Sequence, residues 1–149
     1  MADLGELYQA LILDHSRAPR NCRVMEGSDG RAEGYNPLCG DQITVWVKRE
    51  GDRISDVSFQ GEGCAISRAS ASLMTAAVRG RTVAEAERLF SGFHALITGA
   101  APPAPPAELG KLAALGGVAE FPIRVKCASL SWHALRAALQ QQDGSISTE

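Results

Sequence analysis

Asp41-Gln42-Ile43-Thr44-Val45-Trp46-Val47-Lys48, followed by Arg49-Glu50-Gly51-Asp52 and then by Ile54-Ser55-Asp56-Val57-Ser58-Phe59-Gln60, decides the fold class of this chain. Ile43, Val45 and Val47 fall on one side of an extended backbone, and Thr44, Trp46 and Lys48 on the other. That period of two predicts a half-buried strand. The polar break around Gly51 predicts a hairpin turn, and residues 54–60 predict the returning strand. Residues 31–35 supply a third strand.

Helical periodicity flanks this sheet. Leu4, Leu7, Tyr8, Leu11 and Ile12 recur at helical spacing over residues 4–17, and Ala18-Pro19-Arg20-Asn21 stops the helix. Ile66, Ala69, Leu73, Ala77 and Val78 form one stripe of a helix over 66–79, ended by Gly80. Thr82, with Glu85 at its third position, opens a further helix as a capping box. The prolines of 100–107 predict a stiff, extended surface linker. A short helix over 108–115, a Gly116-Gly117 turn and a short extended stretch over 121–126 follow. Residues 128–141 read as a final helix, and a Ser-rich tail, 143–149, is expected to fray. The expectation is one α+β domain over 1–149, with a small three-stranded antiparallel sheet.

The chain has 149 residues, a hydrophobic fraction of 45% and a net charge of −2. Those values describe a globular protein able to bury a core without staples, with no basic field to gather nucleic acid or an anionic membrane. Met1-Ala2-Asp3-Leu4 is no signal peptide, and no apolar run reaches membrane-spanning length. The expected location is therefore the cytoplasm, where disulfides are rare and thiols serve as core residues, metal ligands or nucleophiles.

Three of the four cysteines have contexts that favour ligation. Cys39 lies in Asn36-Pro37-Leu38-Cys39-Gly40-Asp41, with a glycine that permits an unusual backbone conformation. An extended chain from Cys39 to Asp41 would turn both side chains to one side. Cys64 closes Gly61-Glu62-Gly63-Cys64, and Cys127 closes Ile123-Arg124-Val125-Lys126-Cys127. Each is expected at a helix start, where free amides favour a thiolate. Three sulfurs and the Asp41 carboxylate make a tetrahedral set for zinc or a ligand set for an iron–sulfur cluster. Four protein ligands would leave no open water position, which disfavours a hydrolytic zinc enzyme. Cys22 lies in no such motif. His15, His94 and His133 are expected as packing or surface residues, to be reconsidered as ligands only if Asp41 is not one.

The three cysteine segments, together with Asp14-His15-Ser16-Arg17-Ala18-Pro19-Arg20-Asn21, resemble the U-type iron–sulfur assembly proteins over almost the whole chain. The resemblance implies an antiparallel sheet with helices packed on one face. One branch of that family, IscU-like, is a scaffold on which a cluster is built, and it carries His directly before the third cysteine. Here that residue is Lys126, a poor ligand while protonated. The other branch, SufU-like, has a basic residue there and an insertion between the second and third cysteines, matched here by a segment at about 82–118. The closer resemblance is to this second branch, zinc-dependent sulfurtransferases that accept sulfur from a cysteine desulfurase (SufS-like) and feed downstream iron–sulfur assembly proteins.

That resemblance implies zinc held by Cys39, Asp41, Cys64 and Cys127, with Cys39 leaving the metal to take up persulfide sulfur. Arg124, Lys126 and Arg68 are candidates for lining the site or steering the partner. The competing expectations are an iron–sulfur scaffold and a zinc-stabilised interaction protein with no sulfur relay.

Overall fold

The computed structural model describes residues 4–37, 40–99, 109–140 and 145–147. Helix α1, Leu4–Arg17, precedes strands β1, Gly30–Asn36, β2, Asp41–Glu50, and β3, Arg53–Glu62. Helices α2, Ala65–Val78, and α3, Val83–Thr98, a 3-10 segment, Gly110–Glu120, helix α4, Pro122–Leu139, and a short strand β4, Ser145–Ser147, complete the order.

The expected three-stranded antiparallel sheet is present. β2 pairs with both β1 and β3, and the order is β3-β2-β1-β4. β4 adds a parallel edge on β1, so three residues of the tail expected to fray pair with the sheet. The β2–β3 hairpin turns on Gly51 at φ 61°, a left-handed conformation that glycine takes without steric cost. A register shift at Lys48/Arg49 adds a bulge near that turn.

The register arranges the inner face of the sheet in rows. Gly30, Val47 and Val57 form one row, then Ala32, Val45 and Phe59, then Gly34, Ile43 and Gly61. The last row pairs Asn36 with Asp41. The apolar rows lie under α2, α3, α4 and the 3-10 segment in one buried cluster. Trp132 of α4 stacks on Phe93 of α3 at 5.0 Å between ring centroids, joining two helices at the centre of that cluster. Trp46, on the opposite face of β2, is also buried, so this strand is more than half covered.

α4 runs antiparallel to β1, and two glycines let it approach. A Cβ at Gly34 would lie 2.8 Å from Leu130 Cδ1, and one at Gly30 would run into the Ala138 carbonyl. Leu130 thus sits near one end of β1 and Ala138 near the other, which brings the N-terminal part of α4 to the Asn36–Asp41 row.

The boundaries differ from expectation in the last third of the chain. Residues 121–126 are not extended. Phe121, at φ −129°, caps α4, and Pro122 takes its first position, where a missing N–H costs nothing. The alternation of Ile123 and Val125 with Arg124 and Lys126 imitates a strand, but Val125, Ala128, Trp132, Leu135 and Leu139 continue one helical stripe into the core. Likewise the 3-10 segment runs through Gly116 and Gly117 where a turn was expected. The Thr82–Glu85 capping box is present in both directions. The proline linker, 100–107, lies outside the described residues. Among the described residues no helix is long and apolar enough to cross a membrane.

Candidate metal centre

The last row of the sheet's inner face is where three chain segments meet. Asp41 Oδ1 accepts the Cys64 backbone N–H at 2.8 Å, and its Oδ2 lies 4.0 Å from Cys64 Sγ. One ligand atom from each of Asp41, Cys64 and Cys127 lies within 4.8 Å of the other two. A tetrahedral zinc ion with ordinary bond lengths needs S···S and S···O separations of about 3.6–3.8 Å. The three side chains are therefore within a few tenths of an ångström to 1 Å of a ligating arrangement. Asp41 is 0% exposed and Cys127 1%, while Cys64 is half-buried. A carboxylate buried to this degree needs a cation or several donors, and among the described residues it has one backbone N–H and, at 4.0 Å, the Cys64 thiol. The donor set thus fits a soft divalent metal.

Each ligand is positioned by a local cause. Asp41 opens β2 and points inward because it is in register with Asn36. Gly63 makes room for it, since a Cβ there would lie 2.5 Å from Asp41 Oδ1. Cys64 caps α2 with extended backbone, and its Sγ accepts the Ser67 N–H at 3.5 Å. That geometry agrees with the helix-start expectation for Cys64.

Cys127 departs from it. Because α4 begins at Pro122, Cys127 is the sixth helical residue and its amide belongs to the helix ladder, so the free N-terminal amides are a turn away. Its Sγ instead meets the Asn36 Nδ2 donor at 3.7 Å and the Ile123 carbonyl at 3.6 Å.

Cys39 lies outside the described residues. Its neighbour Gly40 has φ 71° and donates its N–H to the Asn36 carbonyl at 2.9 Å, closing the β1–β2 turn. The chain is thus folded back at Gly40, and the same-side argument for an extended Cys39–Asp41 segment does not hold. The glycine's unusual backbone is present as expected.

Arg124 is exposed on the first turn of α4, Lys126 half-buried just before Cys127, and Arg68 half-buried one turn into α2. Cys22 is exposed and stands outside the ligand group. None of the three histidines belongs to the group either. Asn36 is the residue that sequence reasoning passed over. It is fully buried and touches Cys127 across 91 positions of sequence. The one hint was its place opposite Asp41, at the far end of a short loop.

A family model for the NifU-like N terminal domain matches residues 7–145. The chain is 41% identical over 141 residues to the "Iron-sulfur cluster assembly scaffold protein IscU" of Streptococcus pyogenes serotype M1, covering 95% of this chain and 87% of that protein. It is also 41% identical over 143 residues to the "Zinc-dependent sulfurtransferase SufU" of Bacillus subtilis (strain 168), covering 96% of each. Among solved structures, a candidate iron–sulfur cluster assembly scaffold protein for the SUF system from Fervidobacterium islandicum AW-1 superimposes with a TM-score of 0.83 at 33% identity, over 92% of this chain and 99% of that one.

Proposed function

Because the chain belongs to the NifU-like N-terminal domain family of iron–sulfur cluster assembly proteins, we propose that it is a zinc-dependent sulfurtransferase that takes persulfide sulfur from a cysteine desulfurase. The observation that carries this reading is the composition of the centre. Asp41, Cys64 and Cys127 gather with no histidine among them, and Lys126 precedes the third cysteine.

Cys39, Asp41, Cys64 and Cys127 are the proposed zinc ligands, and Cys39 the sulfur acceptor. Bound there, zinc would supply the positive charge that keeps the thiols ionised. The chain's own groups do the rest. The Cys64 N–H orients the Asp41 carboxylate, the Ser67 N–H steadies Cys64, and Asn36 Nδ2 donates toward Cys127. Those contacts fix three ligands, and the fourth, Cys39, precedes Gly40 in the sequence. The Cys39 thiolate attacks the outer sulfur of the desulfurase persulfide. The S–S bond there breaks, the desulfurase cysteine leaves as a thiolate, and a new S–S bond makes Cys39 the persulfide. No external electrons are needed. Arg124, Lys126 and Arg68, close to the proposed ligands in sequence, are proposed to offset the centre's anionic charge and to favour an acidic partner surface.

The relative named as a scaffold, at the same identity, supports a second reading, in which the same residues carry an iron–sulfur cluster as cargo. The test is metal analysis of anaerobically purified protein, then incubation with a cysteine desulfurase and cysteine. One zinc per chain, a one-sulfur mass gain on Cys39, and loss of that gain in Cys39→Ala are expected. Iron with acid-labile sulfide, and no mass gain on Cys39, would replace this reading with the scaffold.

A further inference from the structure

A cavity of about 420 Å³ opens between α1, α2, α3 and the 3-10 segment. Nine residues of α2 separate its wall at Leu73 from Cys64, roughly 14 Å along the helix axis, so it is distinct from the metal centre. The polar lining has one sign. Arg20, Arg81 and Lys111 contribute cations, His15 an imidazole, and among the described residues no carboxylate lines the cavity. Asp14 pairs with Arg20 at 2.7 Å and Glu85 with Arg81 at 3.8 Å, both from outside the lining and both well exposed. Among the described residues Lys111 forms no salt bridge. The floor is apolar, formed by Leu73, Leu89 and Leu112, each nearly fully buried.

His15 is the most constrained member. It is 3% exposed, and Nδ1 lies 2.7 Å from Ser72 Oγ. The same hydroxyl accepts the Arg20 backbone N–H at 2.8 Å. Burial, followed by the nearby Arg20 guanidinium, lowers the His15 pKa, with Lys111 adding to the effect and Asp14 opposing it. The ring is therefore neutral near pH 7. Ser72 Oγ is thus shared between the Arg20 N–H and His15 Nδ1. The other ring nitrogen, Nε2, has no partner among the described residues.

Three cations, an imidazole nitrogen with no partner among the described residues and an apolar floor in a cavity of ligand size make an anion site with a hydrophobic seat. We propose that this cavity binds a small organic anion, a carboxylate or phosphate head on a compact apolar body. Lys111, Arg81, Arg20 and His15 Nε2 hold the head, and the leucine floor holds the body.

The test is an amide NMR titration of the full chain with phenylacetate, phenyl phosphate, inorganic phosphate and benzyl alcohol. Saturable shifts at Leu73, Ala76 and Leu112 are expected with phenylacetate or phenyl phosphate at millimolar or lower concentration, and the tighter of the two identifies the head group. Lys111→Gln, an exposed substitution, is expected to weaken binding about fivefold while leaving the metal content unchanged. Arg81→Gln is expected to do the same. Equal binding of benzyl alcohol would overturn the anion assignment, and equal binding of inorganic phosphate would overturn the organic one. Absence of saturation by about 10 mM of either organic anion, a dissociation constant worth barely 3 kcal/mol, would overturn the site. So would shifts confined to the neighbourhood of Asp41 and Cys64.

Discussion

Gly63→Ala tests whether Asp41 is a ligand held in place by its surroundings. Gly63 has no positive φ, so alanine meets no backbone strain there, and the whole effect is steric. The new Cβ would stand 2.5 Å from Asp41 Oδ1, and the oxygen must withdraw by roughly 1 Å to restore an ordinary contact. That movement breaks the 2.8 Å bond from the Cys64 N–H, a bond to a charged group worth about 1.5–3 kcal/mol. At 1.4 kcal/mol per tenfold, zinc affinity is expected to fall by about 10- to 100-fold, the range typical of lost outer-shell support. Competition against a chromogenic chelator measures it, and the melting curve of the metal-free protein monitors the fold separately. A variant that binds zinc within about threefold of the parent while its metal-free form is destabilised would refute the reasoning. The carboxylate would then serve the fold and not the metal.

Four further outcomes are expected. Gly30→Ala places a Cβ against the Ala138 carbonyl, and since backbone cannot yield cheaply, denaturant unfolding should show a loss of about 1–3 kcal/mol. Phe93→Ala removes a fully buried ring stacked on Trp132, for a loss of about 3–5 kcal/mol by the same measurement. Thr82→Ala deletes the side-chain half of the capping box, the hydroxyl that accepts the Glu85 N–H, while the backbone N–H of residue 82 still donates to Glu85, and should cost about 1 kcal/mol. Burial, assisted by charged neighbours, lowers the pKa of both His15 and His133 from 6.5. A histidine with a depressed folded pKa stabilises the neutral form. Stability is therefore full above pH 6.5 and declines as pH falls toward the folded values. Unfolding curves of the metal-free protein should show that decline, and His15→Gln with His133→Gln should flatten it.

Much of this architecture follows from local pattern. Ile43, Val45 and Val47 alternate because one face of β2 is core, and the stripe through Leu73 and Val78 is helical because α2 packs on that core. Thr82 and Cys64 announce their helix starts by cap chemistry that needs only a few residues. The errors share a physical origin. Ile123 and Val125 carry local strand propensity, but Pro122 presets a helical start and the glycine track of β1 draws α4 down onto the sheet. Tertiary packing overrides propensity there, and it moves Cys127 from the helix tip to its second turn. Asn36 was invisible as a neighbour of Cys127 because only the strand register reveals it. The gathering of Asp41, Cys64 and Cys127 was anticipated, but by motif. No spacing rule brings positions so far apart in sequence to within 4.8 Å.

The order in which these pieces leave a ribosome follows from where they lie in the chain. Asp41 and Cys64 come before Cys127, on a hairpin and helix cap that assemble from neighbouring residues. Cys127 comes later, on the helix that closes the sheet. Until α4 seats against Gly30 and Gly34, the inner face of the sheet is bare and the pocket around Asp41 has one wall missing. Seating α4 therefore completes the core and brings Cys127 to Asp41 and Cys64 in a single step.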